Sequence, residues 1–214
     1  MQGEPVEEPN QGRGGSSGVC VNELPGSQRL LYVKRQVDHL FHSLRYPLGR
    51  PTVLRELMAY REYRRLGIRV PEVVYGGIEK TGGHWRGLLV TEELDQFVSL
   101  ADWYRIDARR YWGEEIHQAM LYKLAKTLSR LHSTRWRHGC LYPKHIFVRV
   151  DQQLSGSVEM ALLDLEKSRR YWRMARASEE DIRQLYRHRG AMPDRDWALL
   201  QRQYKHCLAL RRAI

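Results

Sequence analysis

Residues His138–Val148, HGCLYPKHIFV, and Ala161–Arg169, ALLDLEKSR, gather the most chemistry-bearing side chains of this 214-residue chain into two short segments. The apolar runs Ile146–Val150 and Met160–Leu163 flank the polar stretch DQQLSGSVE and predict a hairpin, which brings the two segments to one end of it. Asp164 closes the run ALLD, where a carboxylate leaving water costs most unless it is paired or binds a metal; a turn-capping aspartate is the alternative. His145 has two readings, a nitrogen ligand to the same ion or a residue that holds its loop by hydrogen bonds, since imidazole suits magnesium less well than oxygen does. Glu166 faces the same side as Asp164 if the strand continues, and is then a further ligand; otherwise it is a solvated surface residue.

Outward from these segments, residues 109–132 predict a long helix with Ile116, Met120, Leu124, Leu128 and Leu131 at three- or four-residue spacing, delivering the chain to His138. Downstream, SEEDIRQLYRHRG (from Ser178) and PDRDWALLQRQYKHCLALRRAI (from Pro193) predict two closing helices with acidic first turns. Upstream, Pro51–Leu66 predicts a helix stopped by Gly67, with Leu54, Leu57, Met58 and Leu66 on one face. Val70–Gly77 and Trp85–Glu93 predict strands around a turn at Lys80–Gly83. VCVNEL and RLLYVKRQ predict a hairpin around PGSQ, and RGGSSGV (Arg13–Val19) a glycine turn between strands. The residues before it read as a frayed terminus. The expected fold class is α+β: a small antiparallel sheet with one helix in residues 1–94, a hinge near Glu92–Asp95, and a mainly helical lobe in residues 95–214.

Hydrophobic residues make up 42% of the chain, enough for one core or two small lobes. No apolar run approaches the ~20 residues a membrane span needs, and the start MQGEPVEEPN is no export signal, so a cytoplasmic protein is expected, at most peripheral to the inner face of the cytoplasmic membrane. Three scattered cysteines, Cys20, Cys140 and Cys207, fit reduced thiols rather than a disulfide framework or zinc site. A net charge of +11 creates a field that attracts phosphate, nucleic acid or anionic lipid. The basic stretches Arg105–Arg110, Arg130–His138 and Arg169–Arg176 are interleaved with Trp and Tyr. They are either solvated helix faces with aromatics packed inward or a basic surface that receives an anionic acceptor.

Phosphoryl transfer requires a cation for the phosphates, an anchor for that cation, and metal ligands. Lys34 on a predicted strand is the candidate cation, and Glu56 on the first long helix its anchor. The protein-kinase signature runs His-x-Asp, four residues, Asn, then a strand ending in Asp-Phe-Gly. Here His138 is followed by Gly139, Cys140 stands at the Asp position, His145 at the Asn position, and Asp164 ends the later strand. That Asp accepts a proton from the attacking hydroxyl, and a thiol of pKa ~8.5 replaces it poorly. Cys140 is therefore either simply packed or a thiolate whose pKa is lowered by Lys144 or His138, which makes His138, Cys140 and Lys144 the candidate catalytic residues.

The chain resembles the lipopolysaccharide kinase-like family of Kdo and heptose kinases, most closely its InaA-type branch. The resemblance is carried by VEEPNQGRGGSSGV, LLYVKRQ, TVLRELMAYREYRRLGIRVPEVVYGG, LLVTEELDQFVSLADWY, HGCLYPKHIFV, LLDLEKSR and AMPDRDW. It implies a protein-kinase-like bilobal fold binding ATP and magnesium in the interlobe cleft. Gly14, Gly15 and Gly18 would then lie over the phosphates, Lys34 would contact them with Glu56 as its partner, Glu92 and Leu94 would offer backbone groups to adenine, and His145 and Asp164 would hold Mg2+. The chain departs from the family's pattern at Cys140, where active sugar kinases carry Asp.

Three functions follow. The first is an ATP-dependent phosphotransferase acting on a sugar or glycolipid hydroxyl, with an anionic membrane surface as a transient partner. The second is a pseudokinase, a nucleotide-binding or stress-response regulatory module without turnover. The third is a basic RNA-binding protein, for which no nucleic-acid motif speaks.

Overall fold

The computed structural model describes residues 4–6, 10–12, 15–23, 26, 29–151 and 156–212. The chain divides into two compact units, residues 1–61 with 71–93 and residues 62–70 with 94–214.

In the first unit the strands run β1 (Glu4–Pro5), β2 (Asn10–Gly12), β3 (Gly15–Glu23), β4 (Leu30–Val37), β5 (Leu40–Ser43) and β6 (Tyr46–Pro51). Helix α1 (Thr52–Arg65) follows, then β7 (Val73–Thr81) and β8 (His84–Glu92). Its antiparallel sheet has the order β1-β3-β4-β8-β7, with β2 also on β3, and β5 pairs with β6 as a separate hairpin that the sequence did not announce. The β7–β8 turn is Gly82-Gly83, both at positive φ (+60° and +85°), which suits a two-residue hairpin loop. Of the glycine turn expected over Arg13–Val19, residues 15–19 belong to β3 instead. Gly15 and Gly18 lie inside β3, with Gly12 opposite Gly15, while Arg13 and Gly14 lie outside the described residues.

Helix α1 matches its predicted span, but its buried face differs from the predicted one. Val53, Glu56, Tyr60 and Tyr63 are buried, Leu57 is half-buried and Met58 is exposed. The reason lies at the helix start. Gln36 on β4 accepts from Thr52 Oγ1 (2.8 Å) and from the Val53 amide (3.1 Å), and this rotates the face carrying Glu56 inward.

The second unit holds β9 (Val98–Ser99), α2 (Leu100–Arg105), α3 (Ala108–Ser133) and β10 (Trp136–Arg137). A 3-10 turn (Pro143–His145) leads into β11 (Ile146–Asp151), followed by β12 (Ser157–Leu162), β13 (Arg169–Arg170), α4 (Met174–Arg187) and α5 (Asp194–Arg212). β11 pairs with β12 as the sequence predicted, and β9 joins on its other edge. Helix α2 was not foreseen; Ser99 caps it, its hydroxyl accepting from the Asp102 amide at 3.0 Å. Met120, Leu124, Leu128 and Leu131 of α3 are fully buried with Leu141, Ile146, Leu162 and Leu165, whereas Ile116 is only half-buried and His117 takes the inward position. Trp103 Nε1 donates to His117 Nδ1 (3.1 Å), so His117 Nε2 carries the proton it donates to Asp196 Oδ2 (2.8 Å), locking α3 to α5.

Helix α4 starts four residues before its predicted beginning, so Glu179, Glu180 and Asp181 are not in its first turn. Asp181 lies on the stripe Ala177–Asp181–Leu185, which is buried. Strand β12 ends at Leu162, and Asp164 follows in the left-handed region at φ +60°. The alternation that would have put Glu166 on the side of Asp164 therefore does not apply.

Candidate active site

Each unit carries one part of the residues singled out by sequence. In the first, Lys34 sits on β4, between Val19 of β3 and Leu89 of β8. Lys34 Nζ lies 2.8 Å from Glu56 Oε2, with the two side chains only 14% and 4% exposed. Gln36, two residues along the same strand face, sets the position of Glu56 by holding the start of α1 one turn earlier. A half-buried lysine held by a carboxylate is a cation largely shielded from water, as a phosphate ligand requires. At the end of β8, the Glu92 amide donates to Glu72 O (2.9 Å), and in the following turn Leu94 O accepts from the Phe97 amide (3.2 Å).

In the second unit, the loop from His138 to His145 is held mainly by Asp181. This fully buried carboxylate accepts the amides of His138 (2.6 Å) and Gly139 (2.9 Å), and His132 Nε2 lies 3.2 Å away. Burial alone would raise the Asp181 pKa, but the His132 hydrogen bond, the neighbouring imidazoles and the Gly139 amide together hold it below the usual carboxylate range. From the other side Ser168 Oγ donates to His138 O (3.0 Å) and shares a hydrogen bond with the Tyr63 hydroxyl (2.9 Å). Gly139, at φ +82°, must be glycine, because a Cβ there would stand 2.7 Å from Lys167 O.

His138, Cys140, His145 and Asp164 come together around this loop. His145 Nδ1 donates to Cys140 O (2.8 Å) and lies 3.5 Å from Asp164 Oδ2. The Leu163 amide donates to His145 O (2.9 Å), tying the two quoted segments to each other. His145 thus holds the loop, and a proton on Nδ1 leaves Nε2 as the nitrogen with a lone pair. Asp164 keeps its side chain 32% exposed. Among the described residues no cluster of three or more His, Cys, Asp or Glu could bind a metal alone. One carboxylate, from Asp164, suits magnesium bound together with phosphates, since that ion keeps several waters and takes one or two protein carboxylates; the His145 nitrogen is the poorer ligand of the two.

The surroundings of Cys140 disfavour the thiolate reading. Burial pushes its thiol up to about 12, the Asp164 carboxylate adds to the shift by charge and hydrogen bond, and Lys167 opposes it. Lys144 is exposed on the 3-10 turn, and burial drives the His138 imidazole down to about 4, so it is neutral. His138 Nδ1 accepts from the Cys140 amide (3.2 Å), which makes His138 a support of the loop.

Sequence reasoning passed over Gln36, Ser168 and Asp181. Asp181 had a legible signal, an acid at i+4 between Ala177 and Leu185 on an apolar stripe. Many of the basic residues that suggested an anion-binding surface are instead paired internally: Arg105 with Asp102, Arg137 with Glu180 and Asp181, Arg176 with Glu180.

The model of the lipopolysaccharide kinase (Kdo/WaaP) family matches residues 1–204. Protein InaA of Escherichia coli (strain K12) is 44% identical over 203 residues, covering 95% of this chain and 91% of that protein. The solved structure of WaaP in complex with acyl carrier protein superposes with a TM-score of 0.71 at 19% identity, covering all of this chain and 87% of that one. At that identity the likeness shows the fold, which is kinase-like.

Proposed function

We propose that this chain, which belongs to the lipopolysaccharide kinase (Kdo/WaaP) family, is a phosphotransferase that uses ATP with magnesium to phosphorylate a sugar hydroxyl of a lipopolysaccharide-type glycolipid. The observation that carries this reading is the preformed Lys34–Glu56 pair, a shielded cation at 2.8 Å from its anchor. Lys34 would contact the phosphates, and Asp164, with His145 Nε2, would hold the metal. With the Glu92 amide and Leu94 carbonyl already engaged, the adenine contacts fall to the Glu92 carbonyl and the Leu94 amide. Magnesium would supply neutralisation of the charge that develops on the transferred phosphoryl group.

Cys140 shapes the expected rate. A thiol held protonated cannot take the acceptor's proton, so Cys140 does not supply the base that contributes ~10²–10⁴-fold. Phosphoryl transfer depends mainly on positioning and charge, so slow transfer is compatible with this site. The same thiol favours a second reading, a nucleotide-binding pseudokinase with no turnover.

Transfer of labelled phosphate from ATP to purified lipopolysaccharide core, by wild type and Cys140→Asp, separates the two. Slow wild-type transfer that rises roughly 10²-fold or more in the variant supports the phosphotransferase. Transfer by the variant alone makes the wild type a pseudokinase, and transfer by neither overturns the phosphotransferase reading.

A further inference from the structure

The β5–β6 hairpin presents the two most exposed aliphatic side chains among the described residues, Leu44 at 105% and Leu48 at 88% relative exposure. They are four positions apart, Leu44 in the turn and Leu48 on the returning strand, and both project into solvent. Below the tip, Phe41 and Tyr46 pack edge to face at 5.9 Å. The Arg45 and Arg50 guanidinium groups lie over the Tyr46 ring, both at 5.6 Å, Arg50 also over Trp85 at 4.7 Å, and Arg55 over Phe41 at 4.9 Å. From His39 to Arg55 the chain contains no Asp or Glu. The hairpin is therefore layered: exposed leucines at the end, an aromatic and arginine collar beneath them, and no acidic residue in the stretch.

From this layering we propose that the β5–β6 hairpin docks the protein on an anionic lipid bilayer, Leu44 and Leu48 entering the acyl boundary while Arg45 and Arg50 meet the headgroups. Exposed leucines lose unfavourable contact with water in the acyl boundary, and arginines near an anionic surface are attracted within a Debye length. Tyr46 and Trp85 are of the residue types that settle at headgroup level. A protein partner is the weaker match, because two leucines on a narrow tip offer far less than the ~800 Å² per side of a stable protein interface. No helix among the described residues is long and apolar enough to cross a membrane. The inference stands independently of the nucleotide reading.

The test is flotation of the full chain with vesicles of phosphatidylcholine alone and of phosphatidylcholine mixed with phosphatidylglycerol. It is run on wild type, the double variant Leu44→Asn/Leu48→Asn, and Leu210→Asn, which changes another exposed leucine in the second unit. The double variant touches no buried side chain, so an unchanged melting temperature is expected. Wild type and the Leu210 variant should float with the anionic vesicles only, with partition falling roughly tenfold or more in the double variant, on the scale of lost leucine burial. Absence of wild-type flotation overturns the proposal, as does equal flotation of the double variant, which would mean charge alone binds. A dimer that the double variant dissociates, without vesicle binding by either form, would identify the hairpin as a contact between copies and overturn it too.

Discussion

Replacing Asp181 with asparagine preserves the shape of the side chain and removes its charge from a site with no exposure to water. The carboxylate accepts the His138 and Gly139 amides and lies 3.2 Å from His132 Nε2. An asparagine can offer only one oxygen, so its amide group would face at least one of these donors with a donor. Hydrogen bonds to a charged acceptor contribute ~1.5–3 kcal/mol each, so the loss of one, the weakening of the other and the new donor–donor clash give about 3–5 kcal/mol. With a urea m-value of ~2 kcal/mol/M, the unfolding midpoint should fall by about 2 M. Urea unfolding followed by circular dichroism measures this directly. A shift below ~0.5 M would mean that the loop carrying Cys140 is held by something other than Asp181, and the account of how the loop is positioned would fail.

Acid lability should set in early, because His138 is buried neutral. Its folded pKa of about 4 lies below the unfolded ~6.5, so its contribution is complete above pH ~6.5 and is lost as the pH falls toward 4. At pH 5 the unfolded state gains about 2 kcal/mol from this group, so unfolding free energies at pH 7 and pH 5 should differ by that amount; equal values would contradict its burial as a neutral ring. Because the Cys140 thiol is pushed up to about 12, native protein should label with iodoacetamide at pH 8 at Cys20 before Cys140, and mass spectrometry showing Cys140 modified first would refute the assignment. Lys34→Met leaves Glu56 buried without the Nζ that lies 2.8 Å away, so it should cost about 3 kcal/mol of stability as well as ATP affinity; the double variant Lys34→Met/Glu56→Gln should recover stability but not affinity. Recovery of both would remove Lys34 from the phosphate contacts.

Elements with strong periodicity were legible in the sequence. α1, α3, α5 and the β3–β4, β7–β8 and β11–β12 pairs follow from apolar spacing and from turn residues such as Gly82-Gly83. Pattern failed where a polar residue holds an inward position. Glu56, His117 and Asp181 are buried because each has partners distant in sequence: Lys34 for the first, Trp103 and Asp196 for the second, and the His138 loop for the third. A one-dimensional hydrophobic count assigns such residues to the surface. α2 was missed because it is six residues long and depends on the Ser99 cap. The conformation of Asp164 at positive φ was equally invisible, since it comes from the chain leaving β12 after Leu162 to pass the His145 loop. The order of the quoted segments carried the family, whereas the state of Cys140 needed its burial and the nearby Asp164 carboxylate.

Calorimetric titration of ATP with and without magnesium, on wild type and Asp164→Asn, shows whether Asp164 holds a metal that the nucleotide brings. Asp164 is partly exposed and accepts no amide that holds the loop in the way Asp181 does, so the variant should fold normally. The account predicts magnesium-dependent binding that Asp164→Asn weakens by roughly tenfold or more, with binding of metal-free ATP little changed. Wild-type binding that is absent, or that is identical in the variant with magnesium present, would contradict a nucleotide–metal site built on Asp164.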